Sequence, residues 1–115
     1  MARDEDYGYA EGIPGLESEQ WWLAAPASLL VWARLRVLDS GVAQVFDSHG
    51  DTLVYESEDA ARSALMDADF RSLDGIDDED AVEMTGMLAD ELEPPQGDSD
   101  EELLPQMIRN LGAKH

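Results

Sequence analysis

The sequence predicts an α+β domain in which a three-stranded antiparallel β-meander packs against two to four short α-helices. Residues 29–56 form three stretches rich in apolar residues that are separated by two glycine-containing turns, which is typical of consecutive strands. Residues 57–111 instead carry helix-capping residues followed by apolar residues at helical spacing. We therefore expect strands in the first half of the domain and helices in the second.

Length and composition indicate one domain. The chain has 115 residues, of which 43% are apolar, and this is enough for one modest core. Residues 1–15 combine acids with glycines and a proline, so we expect a flexible acidic arm there and a single α+β domain over 16–115. The chain has no cysteine, so disulfides and thiolate zinc sites are excluded.

A short helix is predicted over Glu17–Ala25. Its first turn is acidic, which suits the positive end of the helix dipole, and Pro26 ends it. Trp21 and Trp22 are adjacent within it, and a short helix cannot easily bury two neighbouring indoles on one face. Either one indole stays at the surface as a partner contact, or one packs on the meander while the other covers its edge.

The meander is predicted over Leu29–Leu38, Val42–Asp47 and Thr52–Glu56. Gly41 and Gly50 lie in the two turns, where positive φ angles are expected. On the first strand, one set of side chains is expected to face the core, and the other carries the aromatic and basic residues that we expect a helix or the arm to cover. The first set is Val31, Ala33, Leu35 and Val37, and the second is Trp32, Arg34, Arg36 and Leu38.

Two helices are predicted after the meander. Ser57 is expected to cap the first, which presents a small-residue face to the sheet. Asp77 is expected to cap the second, which runs to the prolines at 94 and 95. The second helix is predicted to bury Ala81, Met84, Thr85, Leu88 and Leu92.

The last segment begins with the capping box formed by Ser99 and Glu102. Pro105 lies too deep for one continuous helix, so we expect a kink or a short helix from Leu104 to Leu111 with Gly112 as its C-cap.

Charge is the main functional clue. The formal net charge is −20, and residues 57–96 hold thirteen of the 27 acidic residues but only two arginines. Such a chain repels bare nucleic acid and anionic membranes, so direct binding to either is not expected. We expect a non-catalytic interaction module, such as an inhibitor or immunity-type protein, that binds a basic protein partner. The predicted contact residues are Trp21, Trp22, Asp74, Asp77, Asp78, Glu79, Asp80 and Glu83.

Two alternatives to that function stay open. In the first, the carboxylates mimic nucleic acid phosphates and occupy the basic groove of a nucleic-acid-binding protein. In the second, a housekeeping domain carries its acidity for solubility, as in proteins adapted to high salt. The sequence also leaves a homodimer open. We expect a bacterial cytoplasmic protein, because the N-terminus resembles no secretory signal and the apolar stretch around Pro26 is too short to span a bilayer.

No residue pattern indicates catalysis or a bound cofactor. The acids at 77–80 are adjacent at a helix start, whereas a calcium loop needs alternating ligands around a central glycine. His49 follows Asp47 and Ser48 in a turn, and such close neighbours cannot adopt a catalytic relay. With no glycine-rich phosphate loop either, we predict no enzyme activity, no metal and no cofactor.

Overall fold

The computed structural model describes residues 15–111, and the predicted arm at 1–15 lies almost wholly outside them. The described part is α+β, with a six-stranded antiparallel sheet and three α-helices. The strands are β1 (Leu16–Ala24), β2 (Leu29–Leu38), β3 (Ala43–Phe46), β4 (Thr52–Tyr55), β5 (Arg71–Ser72) and β6 (Ile108–Asn110). The helices are α1 (Glu58–Asp67), α2 (Asp78–Thr85) and α3 (Asp100–Leu103).

The predicted meander is confirmed as β2, β3 and β4, but it is only half of the sheet. Both turn glycines have positive φ, 95° for Gly41 and 87° for Gly50. The sheet order is β4-β3-β2-β1-β5, and β6 also pairs with β2. A three-stranded sheet therefore understates the architecture.

The predicted helix at 17–25 is wrong, because these residues form β1. The strand pairs with almost all of β2, with Trp21 opposite Arg34 and Trp22 opposite Ala33. A strand points successive side chains to opposite faces. The two indoles are thus packed on different sides of the sheet, and pairing with the next strand, β2, outweighs the local helix-start signal.

Of the two alternatives for the last segment, the structure agrees better with the kink, because α3 ends at Leu103 and a 3₁₀ turn follows at Leu104–Gln106. A helix to Leu111 is wrong, because Ile108–Asn110 form β6. Pro105 fits this turn as an early residue that needs no N–H donor. β3 pairs only with the second half of β2, so the backbone groups of Leu29–Val31 are open on that side until β6 pairs with them. Gly112, the expected cap, lies beyond the described residues.

One face of the sheet is covered by α1. Ser57 caps this helix as predicted, with its hydroxyl accepting a hydrogen bond from the Ala60 N–H at 3.1 Å. Ala61 and Leu65 are buried against the sheet. The core on this face comprises Trp22, Ala33, Leu35, Val37, Ala43, Val45, Ala61 and Leu65.

The other face is covered by residues 73–107, which we call the acidic cover. Its core comprises Leu23, Leu30, Trp32 and Phe46 from the sheet with Ile76, Ala81, Leu92, Leu103 and Met107 from the cover. Both side-chain sets of β2 are therefore buried, one under α1 and one under the acidic cover. The expectation that the Trp32 face is covered is confirmed.

Two of the predicted caps hold the acidic cover in place. The Asp77 side chain accepts from the Asp80 N–H at 2.9 Å, and the Ser99 hydroxyl accepts from the Glu102 N–H at 3.3 Å. The helix that begins after Asp77 is shorter than predicted, because Gly86 ends it with a φ of 81°. Leu88 consequently leaves the predicted helical face and is 44% exposed, whereas Leu92 is buried as expected.

Candidate functional site

The acidic cover is a one-signed surface layer. It contains thirteen Asp and Glu residues and no Lys, Arg or His. All of these carboxylates are exposed except that of Asp80, which is partly buried. They are Asp74, Asp77, Asp78, Glu79, Asp80, Glu83, Asp90, Glu91, Glu93, Asp98, Asp100, Glu101 and Glu102. These carboxylates lie on one side of the sheet because the apolar residues of the cover pack on that face.

Three of the predicted contact acids hold the cover together. Asp77 caps α2, and the Asp78 carboxylate accepts from the Ala89 N–H at 3.0 Å, which ties the following 3₁₀ turn to the start of the helix. Asp80 pairs with Arg71 of β5 at 2.7 Å. These acids therefore have structural partners within the chain.

Asp74, Glu79 and Glu83 have no such partners. Within residues 15–111, their side chains make no hydrogen bond or ion pair, and all three are exposed. Glu79 and Glu83 are one turn apart on α2 and share its outer face. Their charge is thus available to another molecule.

Two apolar side chains are exposed among these acids. Val82, 46% exposed, lies between Glu79 and Glu83 on the outer face of α2. Leu88, 44% exposed, precedes the residue that bonds to the Asp78 carboxylate, so it lies beside the first turn of the same helix. Sequence reasoning missed both. The available signal for Leu88 was Gly86, whose left-handed conformation ends the helix before Leu88 can join its buried face.

The tryptophan pair does not supply the expected surface anchor. Trp22 is 2% exposed; its indole N–H donates to Gln20 Oε1 at 3.2 Å, and the Arg62 guanidinium lies 5.1 Å from its ring centroid. Trp21 is partly buried and packs edge-on against Trp32, with ring centroids 6.0 Å apart. Trp22 therefore packs on the sheet instead of contacting a partner. Trp21 lies at the margin of the core beneath the acidic cover.

The buried Arg34 lies beneath the acidic cover, in contact with α3. Its Nη1 donates to Asp100 Oδ1 at 2.9 Å, and its guanidinium stacks 4.9 Å from the Phe46 ring centroid. Arg34 is 4% exposed, and its Nε has no hydrogen-bond acceptor within the described chain. This arginine therefore anchors α3 to the sheet and is inaccessible to a partner.

A cavity of about 310 Å³ lies on the α1 face, between that helix and strands β2 to β4. Its walls are mostly apolar, including Val45, Leu53 and Phe70, and Ser48 and His49 contribute to its rim. The Asp47 carboxylate accepts from the backbone N–H groups of His49 and Asp51, so it stabilises the turn. This arrangement offers no nucleophile and base in hydrogen-bonding contact.

Searches of the described residues and comparisons with known proteins add no further assignment. Within residues 15–111, no three His, Asp or Glu side chains are placed to share a metal ion. No helix in that range has the length and hydrophobicity required to cross a bilayer. Comparison with protein-family models, with curated proteins and with solved structures gives no match.

Proposed function

We propose that this chain is a non-catalytic interaction protein that binds a basic protein through its acidic cover. The observation that carries this proposal is the placement of thirteen carboxylates in one layer over one face of the sheet, where, within residues 15–111, only Asp80 and Asp100 pair with an arginine. On the opposite face, α1 carries only three acids, Glu58, Asp59 and Asp67, and its Arg62 lies 3.7 Å from Glu58.

The physics of such a surface favours rapid encounter with a positively charged partner. A patch of one sign attracts the opposite sign over a distance of about 10 Å at 0.1 M salt. Charge accelerates association, whereas apolar contacts supply much of the affinity. Val82 and Leu88 provide these apolar contacts. Asp74, Glu79 and Glu83 provide the charge, because their carboxylates make no hydrogen bond or ion pair within residues 15–111.

The test is a variant in which Asp74→Asn, Glu79→Gln and Glu83→Gln are combined. These carboxylates have no partner within residues 15–111, so the fold is retained. The immobilised wild-type chain is expected to retain a basic protein from a lysate at about 0.1 M salt and to release it at about 0.5 M. We expect the variant to associate with the captured protein about three- to tenfold more slowly.

A second triple variant with the same change in net charge is the control. It combines Glu17→Gln, Asp59→Asn and Asp67→Asn, all of which lie outside the acidic cover. It is expected to associate at nearly the wild-type rate. Equal slowing of both variants would show that total charge matters and that the cover is not the docking site.

The captured protein also separates the alternative functions. Release by added DNA would favour nucleic-acid mimicry, because the two ligands would then compete for one basic groove. Failure to capture any protein selectively would favour the solubility role.

A further inference from the structure

Strand β4 forms one edge of the sheet. It pairs with β3 in a regular register from Ala43–Tyr55 to Phe46–Thr52, and within residues 15–111 no strand lies on its other side. An edge strand presents unpaired backbone N–H and C=O groups to which another strand can bond.

The register identifies which backbone groups face outward. Asp47 donates its backbone N–H to the Asp51 carbonyl at 3.0 Å, which makes these residues a hydrogen-bonded pair. Bonded and non-bonded pairs alternate along an antiparallel ladder. Leu53 and Tyr55 therefore bond to β3.

Thr52 and Val54 occupy the alternate positions. Their backbone N–H and C=O groups consequently point away from β3, toward the open edge. Together they offer two donors and two acceptors, which is the repeat that an added strand needs.

This edge lacks the devices by which proteins usually block strand addition. β4 contains no proline, no lysine and no bulge, and its register with β3 is unbroken. The strand at the other end of the sheet, β5, is only two residues long. Within residues 15–111, β1 before Trp22 and the outer side of β6 are also unpaired, so β4 is one of several open edges. Its regular register and its exposed Leu53 and Val54 favour it as a docking edge.

The side chains along β4 indicate what the partner must contain. Leu53 is 47% exposed and Val54 is 64% exposed, and they point to opposite faces of the sheet. Exposed carboxylates, Asp51 and Glu56, flank the strand at its two ends. The edge therefore matches an extended segment that is apolar in its centre and basic at both ends.

We propose that the β4 edge binds such a segment of another protein as an added β-strand, through backbone hydrogen bonds to Thr52 and Val54. Apolar residues of the segment contact Leu53 and Val54, and its flanking Lys or Arg residues pair with Asp51 and Glu56. This surface is separate from the acidic cover, and the inference does not depend on the function proposed above.

A second copy of this chain is a poorer occupant. Antiparallel pairing of two β4 strands brings the Asp51 end of one copy beside the Glu56 end of the other, and neighbouring like charges on paired strands are destabilising. Each copy also carries a net charge of −20, which opposes self-association.

The test is selection from a displayed library of random ten-residue peptides, followed by hydrogen exchange with the selected peptides. We expect enrichment of peptides with apolar residues at alternating positions and with Lys or Arg near both ends. Saturating peptide should slow exchange of the Thr52 and Val54 amide protons by roughly tenfold or more. The amides of Leu53 and Tyr55, already bonded to β3, should change little.

Val54→Pro removes one outward N–H without removing a bond to β3. Proline is tolerated on edge strands where the lost N–H faces solvent, so the melting temperature should stay near that of the wild type. Peptide binding should fall at least tenfold. The matched control, Val54→Thr, keeps the N–H and the β-branched shape and should bind nearly as well as the wild type.

Several outcomes would overturn the proposal. These are a library that yields no binder, selected peptides that protect other amides, binding that survives Val54→Pro in a folded protein, and sedimentation showing a dimer that Val54→Pro dissociates. The Asp74, Glu79 and Glu83 triple variant should retain peptide binding, because it leaves β4 unchanged. Loss of the peptide and loss of the basic partner are therefore independent results.

Discussion

The two faces of the sheet are covered in different ways. On one face, a ten-residue helix, α1, packs Ala61 and Leu65 into the core. On the other, the acidic cover has only eight residues in α2 and four in α3, and the rest is irregular. The regular helix satisfies its own backbone, whereas the irregular cover depends on side-chain caps and a few buried anchors.

The faces also differ electrostatically. The acidic cover carries thirteen carboxylates, of which Asp80 and Asp100 pair with arginines of the sheet, and the other eleven have no cationic partner within residues 15–111. A basic partner, as proposed above, would relieve the repulsion among these eleven carboxylates. On the α1 face there are fewer acids, and Arg62 lies 3.7 Å from Glu58. In the function proposed above, a basic partner would complete this cover.

The largest expected effects come from truncating one anchor on each face. Leu35 on the α1 face is fully buried, and Leu92 in the acidic cover is 4% exposed. Leu35→Ala and Leu92→Ala should each lower the free energy of unfolding by about 2–5 kcal/mol, through lost apolar burial and cavity formation. Urea denaturation measures both.

Leu88→Ala is the control within the same cover. Because Leu88 is 44% exposed, its truncation should cost about 1 kcal/mol or less. A loss as large as that of Leu92→Ala would show that Leu88 is buried, as the longer helix predicted from the sequence requires. A small loss for Leu92→Ala would instead show that the cover contributes little to the cooperative core.

An intermediate effect is expected at the ion pair that joins α3 to the sheet. Asp100→Asn removes the carboxylate from the buried Arg34, whose Nε has no acceptor within the described chain. The free energy of unfolding should fall by about 1–3 kcal/mol in thermal or urea denaturation.

Glu101→Gln has the same charge change at the next residue, which is exposed. It should stay within about 0.5 kcal/mol of the wild type. If both substitutions have the same effect, the pair is not what anchors the cover on this face.

The smallest expected effect sharpens the description of α1. Asp69 follows the helix with a φ of 68°, while the Phe70 N–H bonds to the Leu65 carbonyl at 2.9 Å. Asp69→Gly should raise the free energy of unfolding by about 0.5 kcal/mol, because glycine adopts this left-handed conformation without a Cβ penalty. Asp69→Asn removes the same charge without that relief. Equal stabilisation by both would attribute the gain to charge alone.

Features controlled by neighbouring residues were predicted correctly. The caps Ser57, Asp77 and Ser99, the glycine turns and the alternation along β2 follow from local hydrogen bonding and strand geometry. The candidate site was predicted less completely. Of the predicted contact residues, Asp74, Glu79 and Glu83 are exposed and make no hydrogen bond or ion pair within residues 15–111, whereas Trp22 is buried, and the exposure of Leu88 was not predicted.

By itself, the sequence determined the α+β class, the order of most elements and the excess of carboxylates after residue 57. Only the tertiary structure decided that residues 16–24 and 108–110 are strands, because both depend on hydrogen bonds to another strand, β2, which is adjacent in sequence to the first segment and far from the second. Among residues 15–111, it likewise decided which acids are occupied by partners and that β4 lies at an edge of the sheet. Pairing and burial join residues far apart in the chain, and a local pattern of side chains does not encode which of them meet.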